Sequence, residues 1–181
     1  MGRVRLPSRP VIAGVVAVGA MLLAAGVYWF QPWKLWVDET VRDELPAAVG
    51  APAGTTAPGG SSTGPRTLVS GALISHEHET SGSARIVRLS DGSRVLRLEN
   101  LDTSNGPDLR VLLTDAPVKA GPAGWRVFDD GKHISLGKLK GNKGDQNYAV
   151  PEDLDLAGYT SVSIWCDRFD VSFGAAELAP A

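Results

Sequence analysis

Residues 84–99 read ARIVRLSDGSRVLRLE, and this stretch decides the fold. Two short runs rich in Ile, Val and Leu flank Ser90-Asp91-Gly92. Asp-Gly supplies the positive φ that closes a tight connection, and runs of this length and composition suit strands. The stretch predicts a β-hairpin that pairs Ala84–Leu89 with Ser93–Glu99.

The same pattern extends outward through Thr67–Ser75, Leu109–Thr114, Ile134–Leu139, Gln146–Val150, Val162–Cys166 and Asp170–Glu177. Turn signals at Asn105-Gly106-Pro107-Asp108, Asp129-Asp130-Gly131 and Gly141-Asn142-Lys143-Gly144 separate them, each supplying a fixed or positive φ. About eight short strands without a long helix predict one all-β domain over residues 67–181, a sandwich or barrel-like fold. Roughly 110 residues suffice for one core, and no internal repeat is present. A net charge of −2 gives no bulk attraction to nucleic acid.

Upstream the character changes. Val11 to Phe30 is uncharged and apolar, about 30 Å long as a helix and enough to cross a bilayer once. Arg3, Arg5 and Arg9 precede it, so the tail 1–10 is expected in the cytoplasm and the remainder outside. The competing reading is a signal peptide cut at Ala24-Ala25-Gly26, but that site lies inside the apolar run. The expectation is a single-pass membrane anchor at 11–30 with an extracytoplasmic C-terminal domain.

Trp33, Trp36, Val37, Val41 and Leu45 then recur at helical spacing, which predicts a juxtamembrane amphipathic segment at 31–45. Residues 46–66, rich in Gly, Pro, Ala, Ser and Thr, lack the apolar content to fold. They read as a tether whose ends lie on the order of 25 Å apart.

Cys166 is the only cysteine. In an oxidising compartment it has no internal partner, so it is inert packing, an intermolecular bridge, a metal or haem ligand, or a redox group. Strand parity places Val162, Ile164 and Cys166 on one face and Ser163 and Trp165 on the other, which assigns Cys166 to the core face and favours packing. The reactive alternative needs a pocket on that face. Arg168 would favour the thiolate and Asp167 would oppose it.

His76 and His78 frame Glu77. If extended, their rings share a side, and with His133 and Cys166 they form a candidate copper or zinc set. No Cys-x-x-Cys-His motif for covalent haem is present, which leaves haem on the Cys166 thiolate. No nucleophile elbow, zinc-protease helix or phosphate loop assigns an enzyme class.

Several ordered runs carry a resemblance: His78-Glu-Thr-Ser-Gly82, Asn105-Gly-Pro-Asp-Leu109, Leu136-Gly-Lys-Leu-Lys-Gly-Asn-Lys-Gly144, Gln146-Asn-Tyr148, Val162-Ser-Ile-Trp-Cys166 and Phe169-x-Val-x-Phe-Gly174. Residues 71–178, about 60% of the chain, resemble a DM-thirteen domain, described as an electron-transfer domain. The resemblance implies an all-β fold and a redox cysteine, here Cys166, acting directly or through haem. Trp165 and Arg168 would then form the surroundings of the thiol. The expected partners are the membrane and either a redox protein or a cell-surface partner. The alternative function is an extracytoplasmic binding or adhesion module in which Cys166 is structural.

Overall fold

The computed structural model describes residues 8–46 and 64–181; most of the expected tail 1–10 (residues 1–7) and most of the expected tether 46–66 (residues 47–63) lie outside the described residues. Helix α1 spans Arg9–Phe30. It is long and apolar enough to cross a membrane, and none of its apolar window is buried against protein. Ten strands follow: β1 Thr40–Arg42, β2 Arg66–Ser75, β3 Ser81–Arg88, β4 Arg94–Asp102, β5 Leu109–Thr114, β6 His133–Lys138, β7 Lys143–Val150, β8 Ser161–Cys166, β9 Val171–Glu177 and β10 Ala179–Pro180.

All eight expected strands form, and the hairpin is β3–β4, with Arg88 opposite Arg94. Its turn is built as the residues dictate. Gly92 takes φ +89, and Asp91 Oδ1 accepts from the Ser93 backbone N–H at 2.9 Å and from its hydroxyl at 2.6 Å.

The strands form one sheet in the order β1-β7-β4-β3-β2-β9-β8-β5-β6, with β10 added beside β2. The sheet curls into a half-barrel because β2 serves both halves. Its Arg66–Ala72 stretch pairs with β3, whereas Leu73–Ser75 pair with β9. At that crossing a Cβ on Gly71 would collide with the Glu177 carbonyl oxygen, so the close approach requires glycine. The enclosed core draws Leu73, Ile86, Leu96 and Leu98 from one half and Leu109, Val111, Ile164, Cys166 and Phe173 from the other.

Two features differ from the sequence expectation. The helical spacing of residues 31–45 is realised only as a 3-10 turn at Pro32–Trp36. Thr40–Arg42 instead lies parallel to β7. Glycine explains this pairing: Gly141 and Gly144 let the Glu39 and Val41 carbonyls approach where a Cβ would clash. Arg97, 7% exposed, fixes the segment by donating to the Asp43 carbonyl and Asn147 Oδ1 and by pairing with Asp145.

The second difference concerns β8, in which all six residues are buried. Its outer face is not solvated, because Phe128 and Ala116 from the loop between β5 and β6 cover Trp165 there.

Candidate functional site

Cys166 ends β8, paired with Leu109 on β5 and Val171 on β9. It is 0% exposed, on the core face that parity assigns. Beyond it the chain makes a tight turn over Asp167–Asp170. The Phe169 N–H donates to the Cys166 carbonyl at 3.2 Å, and the Asp167 N–H donates to the Asp108 carbonyl at 3.0 Å. Asp170 closes the turn at φ +49, a region aspartate tolerates better than most residues.

Burial pushes the Cys166 thiol above its ordinary value. Backbone N–H groups of Arg168, Phe169 and Asp108 oppose the shift, and the Asp108 carboxylate adds to it. The resting group is therefore a protonated thiol, not the thiolate that attacks or ligates.

The expected surroundings are arranged differently. Trp165 faces away from the thiol into the outer cluster, edge-on to Phe128 at 6.4 Å. The Arg168 guanidinium points to α1, donating to the Trp29 carbonyl at 2.6 Å and lying over its ring at 5.1 Å; only its backbone addresses the sulfur. Asp167 pairs with Arg110 at 3.2 Å. The acidic neighbour of the thiol is Asp108, which sequence reasoning passed over. Its signal was the Asn105-Gly-Pro-Asp-Leu109 run, where the turn reading absorbed it.

The histidines do not converge. The chain bends after Ser75, so His76 and His78 separate. His76, 7% exposed, stacks on Phe128 at 5.5 Å, with Nδ1 2.8 Å from Ser172 Oγ and Nε2 unpaired. His78 lies over Phe173, with centroids 3.9 Å apart. Burial lowers the pKa of both rings, so they are neutral near pH 7. His133 is exposed, its Nδ1 3.0 Å from the Gly131 carbonyl. Among the described residues no three His, Cys, Asp or Glu side chains form a group suited to a metal. The copper or zinc set is not assembled.

Lys138, Lys140 and Lys143 pair with Asp108, Asp43 and Asp38 respectively.

Beside the Cys166 turn a cleft of about 270 Å³ opens between the end of α1 and the half-barrel. Its walls are Phe30, Pro32, Pro107, Phe169 and Phe173, with His78 set among them. Phe30 stacks on Phe169 at 5.7 Å. Thr80 fixes the His78 bend, its N–H donating to Ser75 Oγ at 3.0 Å and its hydroxyl to the Phe173 carbonyl at 2.9 Å.

Haem fits this arrangement poorly. Cys166 is sealed and is not part of the cleft lining. The residues present do not fit a haem ligated by Cys166.

No curated protein and no solved structure shows a significant match to the chain. The family model described as Electron transfer DM13 matches residues 72–178, more than half of the sequence, and the chain belongs to that family.

Proposed function

We propose that this chain is a membrane-anchored electron-transfer domain, held outside the cytoplasm with its Cys166 end against the bilayer. Membership of the DM13 family supports a general electron-transfer or redox role. The observation that carries the finer reading is the contact between the helix and the cysteine turn. Phe30 stacks on Phe169, and Arg168 clasps the Trp29 carbonyl. The turn that covers the sole cysteine is thus the one bound to the end of the apolar helix. The arginines at positions 3, 5 and 9 support a cytoplasmic N-terminus.

Cys166 is the redox candidate, and its chemistry is gated. With the turn closed, the thiol is protonated and shielded. When the turn lifts, the group regains water and can lose its proton. The thiolate then displaces one sulfur of a disulfide on a redox partner, forming a mixed disulfide and releasing the partner's other sulfur as thiolate. The chain has no second cysteine, so the resolving thiol comes from the partner.

A second reading has its own support. Full burial and the raised pKa of Cys166 suit a structural residue in a binding or adhesion module.

Alkylation of the full chain in detergent separates the two. Gated chemistry predicts slow native labelling at a rate independent of global stability, together with loss of thiol–disulfide exchange in Cys166→Ser. Labelling that merely tracks global unfolding, with no thiol–disulfide exchange by the folded wild type, establishes the structural reading instead.

A further inference from the structure

The cleft at the end of α1 is continuous with a second groove on the helix itself. That groove runs over Gly19, Leu22, Leu23, Gly26 and Val27 and shares Phe30 and Pro32 with the cleft. Gly19 and Gly26 line this open groove without a side chain of their own. From Gly19 to Phe30 it covers about 16 Å of helix axis. With α1 in a bilayer, this groove would lead from the hydrocarbon to the cleft.

The cleft has the chemistry of a ring site with polar edges. Phe169, Phe173 and Phe30 supply aromatic walls. Lys34 Nζ donates to the Gly106 carbonyl at 3.2 Å and Asn105 Nδ2 to the Val37 carbonyl at 3.3 Å, and each keeps further N–H groups. The His78 ring, neutral at pH 7, makes no hydrogen bond among the described residues.

We propose that this cleft binds the ring of a membrane-dissolved quinone, with its prenyl tail lying along the α1 groove. The inference rests on α1 being a retained membrane anchor. A quinone ring offers flat apolar faces to the phenylalanines and two carbonyl acceptors to the Lys34, Asn105 and His78 donors. A phospholipid acyl chain would fill the groove and leave those donors unused.

The test uses the full chain in phosphatidylcholine nanodiscs, titrated with a short-tail ubiquinone and read by quenching of tryptophan fluorescence. Trp29 and Trp33 flank the cleft in sequence. Saturable one-site quenching is expected in the wild type. His78→Leu, which keeps bulk and removes both ring nitrogens, is expected to weaken binding at least tenfold. Pro107→Trp, which fills the cleft, is expected to abolish the saturable component, with circular dichroism reporting that both variants fold. An alkylbenzene of equal tail length should not compete.

Quenching that is linear and identical in all three proteins overturns the proposal, as does equal competition by the alkylbenzene. The intact mass of chain recovered from membranes keeps the two readings apart. Loss of saturable binding with α1 retained removes the quinone site alone, whereas a chain shortened by cleavage within α1 removes both.

Discussion

Cys166 and His78 belong to the same end of the half-barrel and share Phe173, which packs in the core with the cysteine and stacks under the histidine. One group is sealed and the other stands in an open cleft. The sealed group bears the chemistry that a lone cysteine advertises, but the turn and the desolvation cost suppress it. The open group stands beside the end of α1 and carries no charge at neutral pH. Phe173 belongs both to the core cluster that holds Cys166 and to the lining of the cleft, and its ring is the wall common to the two.

The comparison breaks most severely if the wall goes. Phe173→Ala is expected to cost about 3–5 kcal/mol, read from the midpoint of chemical denaturation, because it opens the Cys166 core into the cleft. A loss below about 1 kcal/mol would mean that the two compartments are not divided by this ring.

Next in size is Cys166→Ser, which buries a hydroxyl in place of the thiol at a cost of about 1–3 kcal/mol. No measurable loss would show that the site is hydrated.

The third prediction concerns alkaline pH. The folded thiol holds its proton above the ordinary value of 9.0, so the unfolded chain deprotonates first. The stability that this group contributes is complete below about pH 9 and is lost as pH rises through the raised value. Stability curves of wild type and Cys166→Ser should diverge in slope only above pH 9, and thiolate absorbance of the native protein should appear only in that range.

Phe169→Ala sharpens the comparison from the other side. Losing the stack with Phe30 removes about 0.5–1.5 kcal/mol beyond its burial. Native labelling of Cys166 should quicken roughly two- to tenfold in consequence. The smallest effect is expected of Arg168→Ala, whose cation–π contact with Trp29 is worth about 0.5–1 kcal/mol at an exposed site. A small shift in denaturation midpoint with an unchanged alkaline profile would confirm that its side chain serves the contact with α1 and not the sulfur.

Much of this architecture was legible from residues alone, and the gaps have physical causes. Alternation and Asp-Gly turns identified the eight long strands, and parity located Cys166 in the core. β1 escaped because Thr40-Val41-Arg42 has no strand signature of its own; its partner β7 and two glycines distant in sequence make it a strand. β10 is two residues long and contains Pro180.

At the site, local reasoning failed wherever the neighbour was non-local. Trp165 was expected beside the thiol, but it packs under a loop that lies some forty residues earlier. Asp108 reaches the thiol from the turn that precedes β5. His76 and His78 would share a side only in an extended chain, and the bend after Ser75 separates them.

The docking of β1 onto β7 gives residues 46–66 a role other than spacing the domain from the helix. The chain joins the sheet at Thr40, leaves it after Arg42 and rejoins it at Arg66, so this segment closes a loop on one body. Doubling its length adds only about 0.6 kcal/mol of closure entropy, and the position of the Cys166 turn relative to α1 stays set by the Phe30–Phe169 contact. A fluorophore-bearing or affinity insert placed there would ride on the domain as a passenger, reporting its position without altering its reach.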